Sequence, residues 1–97
     1  MTPVLIRAIA AVDIEDAFDW YEQQRSGLGD EFRFELKAAL QRLVERPNLY
    51  PVVHRDTRRI LLRRFPYGVF YRTYPQLIVV VAVMHGGRVP ARWKSRR

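Results

Sequence analysis

The chain has no cysteine. That excludes a disulfide framework, a zinc–thiolate site and a thiol nucleophile, and it fits a reducing compartment. Long apolar runs are missing too: the longest, Leu77–Met84, has eight residues, against the roughly 20 a membrane helix needs. Histidine is scarce, since only His54 and His85 occur and they stand apart. No spacing of His, Asp and Glu makes a metal-ligand set, and there is neither a Gly-rich phosphate loop nor a Gly-x-Ser-x-Gly turn. The first seven residues lack a basic stretch leading into a long apolar one, so no signal peptide is expected. The expectation is a cytoplasmic protein, off the membrane, without metal or cofactor.

Negative charge is nearly absent from the second half. Residues 1–48 hold 6 Lys/Arg against 9 Asp/Glu, a net of −3, whereas residues 49–97 hold 11 against 1, a net of +10. The two sum to the overall +7, and ten of the eleven second-half cations are arginine. Such asymmetry points to a polyanionic or acidic partner met by the second half. The plainer reading is a solvated basic surface kept for solubility.

What is present is enough for one core. Ninety-seven residues with 48% hydrophobic content make a single domain, 1–97, with 86–97 a basic C-terminal tail. Leu77–Met84 organises the rest. Its three adjacent valines are stiff at χ1 and suit a pleated strand. Both parities are apolar, Ile78, Val80, Ala82 and Met84 on one face and Leu77, Val79, Val81 and Val83 on the other. Both faces are therefore expected to be covered, with the strand inside the sheet.

Val4-Leu5-Ile6 reads as a short first strand. Ile14, Ala17, Phe18 and Tyr21 recur at helical spacing, with Asp13, Glu15, Asp16, Asp19 and Glu22 expected mostly in water. The helix starts either at Asp13, in a capping arrangement with Asp16, or already within Ala8–Ala11. Gly27 suits the left-handed residue past its end. Leu28, Phe32, Leu36, Ala39, Leu40 and Leu43 mark a second helix, stopped before Pro47, with Arg33, Lys37 and Arg42 pointing elsewhere. The short link makes the two helices an antiparallel hairpin, and Phe34 and Val44 are available for its seam. A second strand begins at Val52-Val53 or, past a turn near Asp56-Thr57, spans Arg58–Arg64. Tyr67–Thr73 is a third strand, and Tyr74-Pro75-Gln76 turns it into Leu77–Met84. The expected class is α+β: a two-helix antiparallel hairpin packed on a mainly antiparallel sheet, in the order β-α-α-β-β-β.

One constellation carries possible chemistry. His85, Arg88 and Trp93 follow the central strand, near Arg59, Arg63, Arg64 and Arg72. Arginine offers planar bidentate donors for phosphate or carboxylate, and Trp93 can stack on a base or plug the sheet edge. A metal-free nuclease needs a proton-moving group beside such cations. His85 suits the acid, and Asp56 is the only carboxylate of this half. A basic docking surface without chemistry accounts for the same residues.

The motifs resemble the RelE/ParE toxin superfamily of bacterial type II toxin–antitoxin modules, and more closely its ParE-like (plasmid stabilization protein) branch. The resemblance rests on Asp13-Ile14-Glu15-Asp16-Ala17 with Trp20-Tyr21-Glu22, and on Gly27-Leu28-Gly29 with Phe32. It continues in Pro47 with Tyr50-Pro51, Arg59, Arg64-Phe65-Pro66-Tyr67 and Tyr71, and ends in Ala82-Val83, His85, Arg88, Pro90 and Trp93. It spans nearly the whole chain in order. It implies the same α+β fold and a cognate, acidic antitoxin that wraps the toxin. RelE-like members cleave mRNA on the ribosome without metal, whereas ParE-like members inhibit DNA gyrase and are not enzymes. RelE-like nucleases place an arginine in the strand matching Tyr67–Tyr71, where this chain has Gly68, and a Tyr or His near the C-terminus. Only His85 and Arg88 are catalytic candidates here. The expected function is therefore gyrase inhibition, with target-binding residues Arg59, Arg63, Arg64, Arg72, Arg88 and Trp93. The alternatives are a ribosome-dependent mRNA endonuclease and a non-toxic nucleic-acid-binding module.

Overall fold

The structure, a computed structural model, describes residues 2–85. Arg88, Trp93 and the rest of the basic tail lie outside the described residues. The elements are β1 (Val4–Ile6), α1 (Ala8–Gln24), α2 (Leu28–Glu45), β2 (Val52–His54), β3 (Thr57–Leu61), β4 (Tyr67–Tyr74) and β5 (Leu77–His85). They form one sheet in the order β1-β5-β4-β3-β2. Only β1 runs parallel to its neighbour; every other pairing is antiparallel. The valine-rich strand is thus interior, as its two apolar parities require.

Both starts considered for the strand after the helices are real. Val52–His54 and Thr57–Leu61 are separate strands, joined through a turn in which Arg55 takes φ 52°. The second stops at Leu61 rather than Arg64, so Arg63 and Arg64 sit in the loop before β4.

α1 begins at Ala8, directly after β1, and the β1 ladder carries on to Arg7, whose N–H donates to the Val80 carbonyl at 3.1 Å. The side of α1 that meets the sheet holds Ala10, Asp13, Ala17 and Tyr21. Gly27 takes φ 91°, a left-handed conformation that glycine adopts without steric cost. It ends one helix and precedes the next. The N-terminus of α2 is capped from α1: the Glu22 carboxylate accepts from the N–H groups of Gly27 and Gly29, each at 2.9 Å. Glu22 therefore leaves the solvated set, because unpaired amides at a helix start attract a carboxylate.

α2 buries Phe32, Leu36, Ala39 and Leu43. Tyr21, Phe32, Phe65 and Tyr67 pack as an aromatic cluster with centroids 4.8–5.9 Å apart. Val44 packs against this core, but Phe34 does not fill the hairpin seam and is 70% exposed. Phe18 instead lies under the Arg33 guanidinium, 3.8 Å from its ring centre.

β4 and β5 slip register between Phe70 and Tyr71, which face Ala82 and Val80, leaving Val81 as an extra residue. This bulge breaks the strict alternation expected along β5. Ile78, Val80 and Val83 face the helices, whereas Val79, Val81, Ala82 and Met84 join Phe70 on the other side. Two cores result, one under the hairpin and one on the opposite face, and no residue of either helix belongs to the second.

Candidate functional site

The face away from the helices is built by register. Arg59 opposes Phe70 and Leu61 opposes Gly68, so these four share a side with the Phe70 cluster, and Arg72 follows two residues along. Gly68 has a definite role there. A Cβ on it would lie 3.1 Å from Arg59 Cγ and 3.2 Å from Cδ. The arginine stem therefore lies across β4 in the room that glycine leaves.

Arg72 is held rigidly. Its side chain is 11% exposed, its Nε donates to Thr57 Oγ1 at 3.1 Å, and Asp56 Oδ1 lies 3.5 Å from the same nitrogen. Burial of a guanidinium demands such partners. Thr57 is itself fully buried.

Arg59 and Arg63 line one shallow hollow of about 310 Å³, together with Arg42 of α2, Tyr50 and Leu61. Arg42 donates to the Leu61 carbonyl at 3.1 Å, which turns it toward β3. The sequence reading set Arg42 aside. Its signal was position: it lies in the last turn of α2, where a cation is favoured, next to the connector that leads back to the sheet. Arg64 goes elsewhere. It bridges Glu31 at 2.7 Å and Glu35 at 3.8 Å. Hydrogen bonds from Arg64 and then Arg25 hold the Glu31 carboxyl below its ordinary range.

His85 is also apart. It opposes Tyr67 at the end of β5, with ring centres 5.9 Å apart, on the helix-facing side. The structure thus brings Arg59, Arg63 and Arg42 together where α2 meets β3, sets Arg72 on the face away from the helices, and places Arg64 and His85 away from the hollow. Among the described residues no three His, Cys, Asp or Glu converge to hold a metal. The hollow offers planar donors for phosphate or carboxylate. His85, on β5, is not among the residues that line it, so it is not placed to pass a proton to a group held there.

Behind the face, burial and tight bonding fix the scaffold. The Tyr71 hydroxyl donates to the Pro47 carbonyl at 2.7 Å, and Arg58 Nη1 donates to the Asn48 and Tyr50 carbonyls at 3.1 and 2.7 Å. Burial pushes the Tyr71 phenol up to about 12, a rise that the nearby Arg58 charge partly offsets. Tyr67 is raised by burial and then by the Asp13 charge.

Fold and surface together define a small α+β protein: a helical hairpin covers one side of an open sheet, and guanidinium groups gather where α2 meets β3. The model of the ParE toxin of the type II toxin–antitoxin system, parDE, matches residues 4–90. Toxin ParE2 from two Mycobacterium tuberculosis strains, CDC 1551 / Oshkosh and ATCC 25618 / H37Rv, is 32% identical over 79 residues, covering 80% of this chain and 75% of the relative. A solved structure described as the chromosomal ParDE TA system from P. aeruginosa superposes with a TM-score of 0.78 at 17% identity, over 88% of this chain and 96% of that one. The chain belongs to the ParE toxin family of type II toxin–antitoxin modules. It is a toxin component, and its family implies a cognate antitoxin as partner. No helix among the described residues is long and apolar enough to cross a membrane.

Proposed function

We propose that this toxin acts in the cytoplasm as an inhibitor of DNA gyrase and is not an enzyme. The observation that carries the reading is the hollow between Arg42, Arg59 and Arg63, whose lining does not include the histidine candidate. Arginines held by stem packing and carbonyl bonds give a binding surface for an anionic patch. Arg88 and Trp93, outside the described residues, belong to the same proposal as further contacts. The whole of residues 1–97 acts as a single domain in it.

A supercoiling assay with purified gyrase tests this. The wild-type chain is expected to block supercoiling, and Arg59→Ala with Arg63→Ala to weaken the block by about tenfold, since desolvated charge pairs contribute on the order of 1–3 kcal/mol. The double variant should melt as the wild type does. Undiminished supercoiling, together with mRNA cuts on translating ribosomes, would replace the proposal with the nuclease reading.

A further inference from the structure

A second cavity lies on the helix-facing side, between α1 and the end of β5. It measures about 380 Å³ and opens to solvent. Asp13 and Asp16 of α1 supply its charge, and Trp20, Tyr67 and His85 supply aromatic walls. Asp13 is fixed, its Oδ2 accepting from the Val83 N–H at 3.0 Å, while Asp16 stands exposed at the mouth. On a chain of net charge +7 this is a local reversal of sign. Carboxylates beside the faces of Trp and Tyr suit a planar cation, by charge and by cation–π attraction.

Beside the cavity the surface of α1 is apolar. Ile9, Val12, Asp16 and Trp20 fall at i, i+3, i+7 and i+11, along one side of the helix. Ile9, Val12 and Trp20 are 44%, 56% and 55% exposed. An apolar stripe of this kind ending at a cation socket fits a partner segment with apolar side chains and one arginine.

The geometry points to this cavity as the socket for an arginine side chain of the antitoxin, which fixes the register of a segment laid along α1. The inference rests on the toxin–antitoxin reading above. An acidic partner attracted to a broadly basic surface has many near-equivalent placements. One contact of opposite polarity penalises all but one of them. The socket shares no lining residue with the Arg42–Arg59–Arg63 hollow, so occupying it leaves the hollow's residues untouched.

The first test titrates the full-length toxin with N-acetyl-arginine methylamide and follows the Val83 amide and the Trp20 indole N–H by NMR. Saturable shifts in the millimolar range are expected, with about a fivefold loss of affinity in Asp16→Asn. The citrulline analogue, equal in shape but neutral, should give none. Equal shifts with citrulline, or no saturable shift with arginine, would overturn the socket. The second test expresses Asp16→Arg with and without the antitoxin. Growth arrest should persist alone and should no longer be neutralised on co-expression. Continued neutralisation, or loss of arrest with the fold intact, would overturn the antitoxin as occupant. If the wild-type chain itself arrests nothing, the toxin reading fails, and the titration still decides the socket.

Discussion

At the scale of single residues, the buried polar groups decide most. Tyr71 is fully buried, and its hydroxyl holds the Pro47 carbonyl at 2.7 Å. Its phenol is pushed up to about 12, from 10.0 in the open chain. The folded state therefore keeps a proton that the unfolded chain loses. This contribution is complete below pH 10 and drains away as pH climbs toward 12, by about 2–3 kcal/mol. Urea midpoints measured from pH 9 to 12 should fall along that window, and Tyr71→Phe should flatten the fall. At pH 7 the same variant should lose about 1 kcal/mol, for the missing hydrogen bond. Asp13 shows where residue-level reading fails. The sequence places it in water as one of five acidic residues on α1. In fact Ala10, Asp13, Ala17 and Tyr21 follow the i, i+3, i+7, i+11 spacing of a buried side, and that signal was legible. Its acceptor role was not. β1 pairs with β5 only as far as Val80, so the Val83 N–H beyond it needs an oxygen from α1, which only the sheet order reveals.

At the scale of elements, the hairpin and the meander were readable because short links leave few topologies. Helical spacing gave α2 its buried side almost completely: Phe32, Leu36, Ala39 and Leu43 are its core. The bulge at Val81 was hidden, because a run apolar at every position keeps no parity to break. The helix junction was half visible. Gly27 signalled the turn, but Gly29 carries a tighter demand. A Cβ there would come 2.7 Å from the Phe18 ring and 2.9 Å from Glu22 Oε1. Gly29→Ala should push the Phe18 ring off its place under Arg33 and strain the Glu22 cap. A loss of about 1–3 kcal/mol is expected, as for other overpacked contacts, read as a lower urea midpoint with unchanged slope. Gly27→Ala meets no atom within 4 Å and is strained only by its φ of 91°. It should cost about 1 kcal/mol, so the pair separates crowding from backbone strain.

At the scale of the whole molecule, charge is sorted rather than balanced. Part of the acidic first half is paired off: Glu15 with Arg33, and Glu31 with Arg25 and Arg64. Arg42 and Arg58 spend hydrogen bonds on neutral carbonyls and keep their full charge. The asymmetry in sequence thus survives as a field at the surface, though not over every arginine named from sequence, since Arg64 is paired away. A field of this kind acts on encounter before contact, and ions screen it with a length of about 10 Å at 0.1 M salt. Raising NaCl from about 50 to 500 mM should slow association with the antitoxin by roughly tenfold, while dissociation changes much less. Stopped-flow mixing reads both rates. Arg42→Gln with Arg59→Gln should lower the salt sensitivity of the association rate and leave dissociation close to wild type. Should the antitoxin associate equally fast at both salt concentrations, the concentration of arginine in the second half has no part in capture, and its place lies with the target alone.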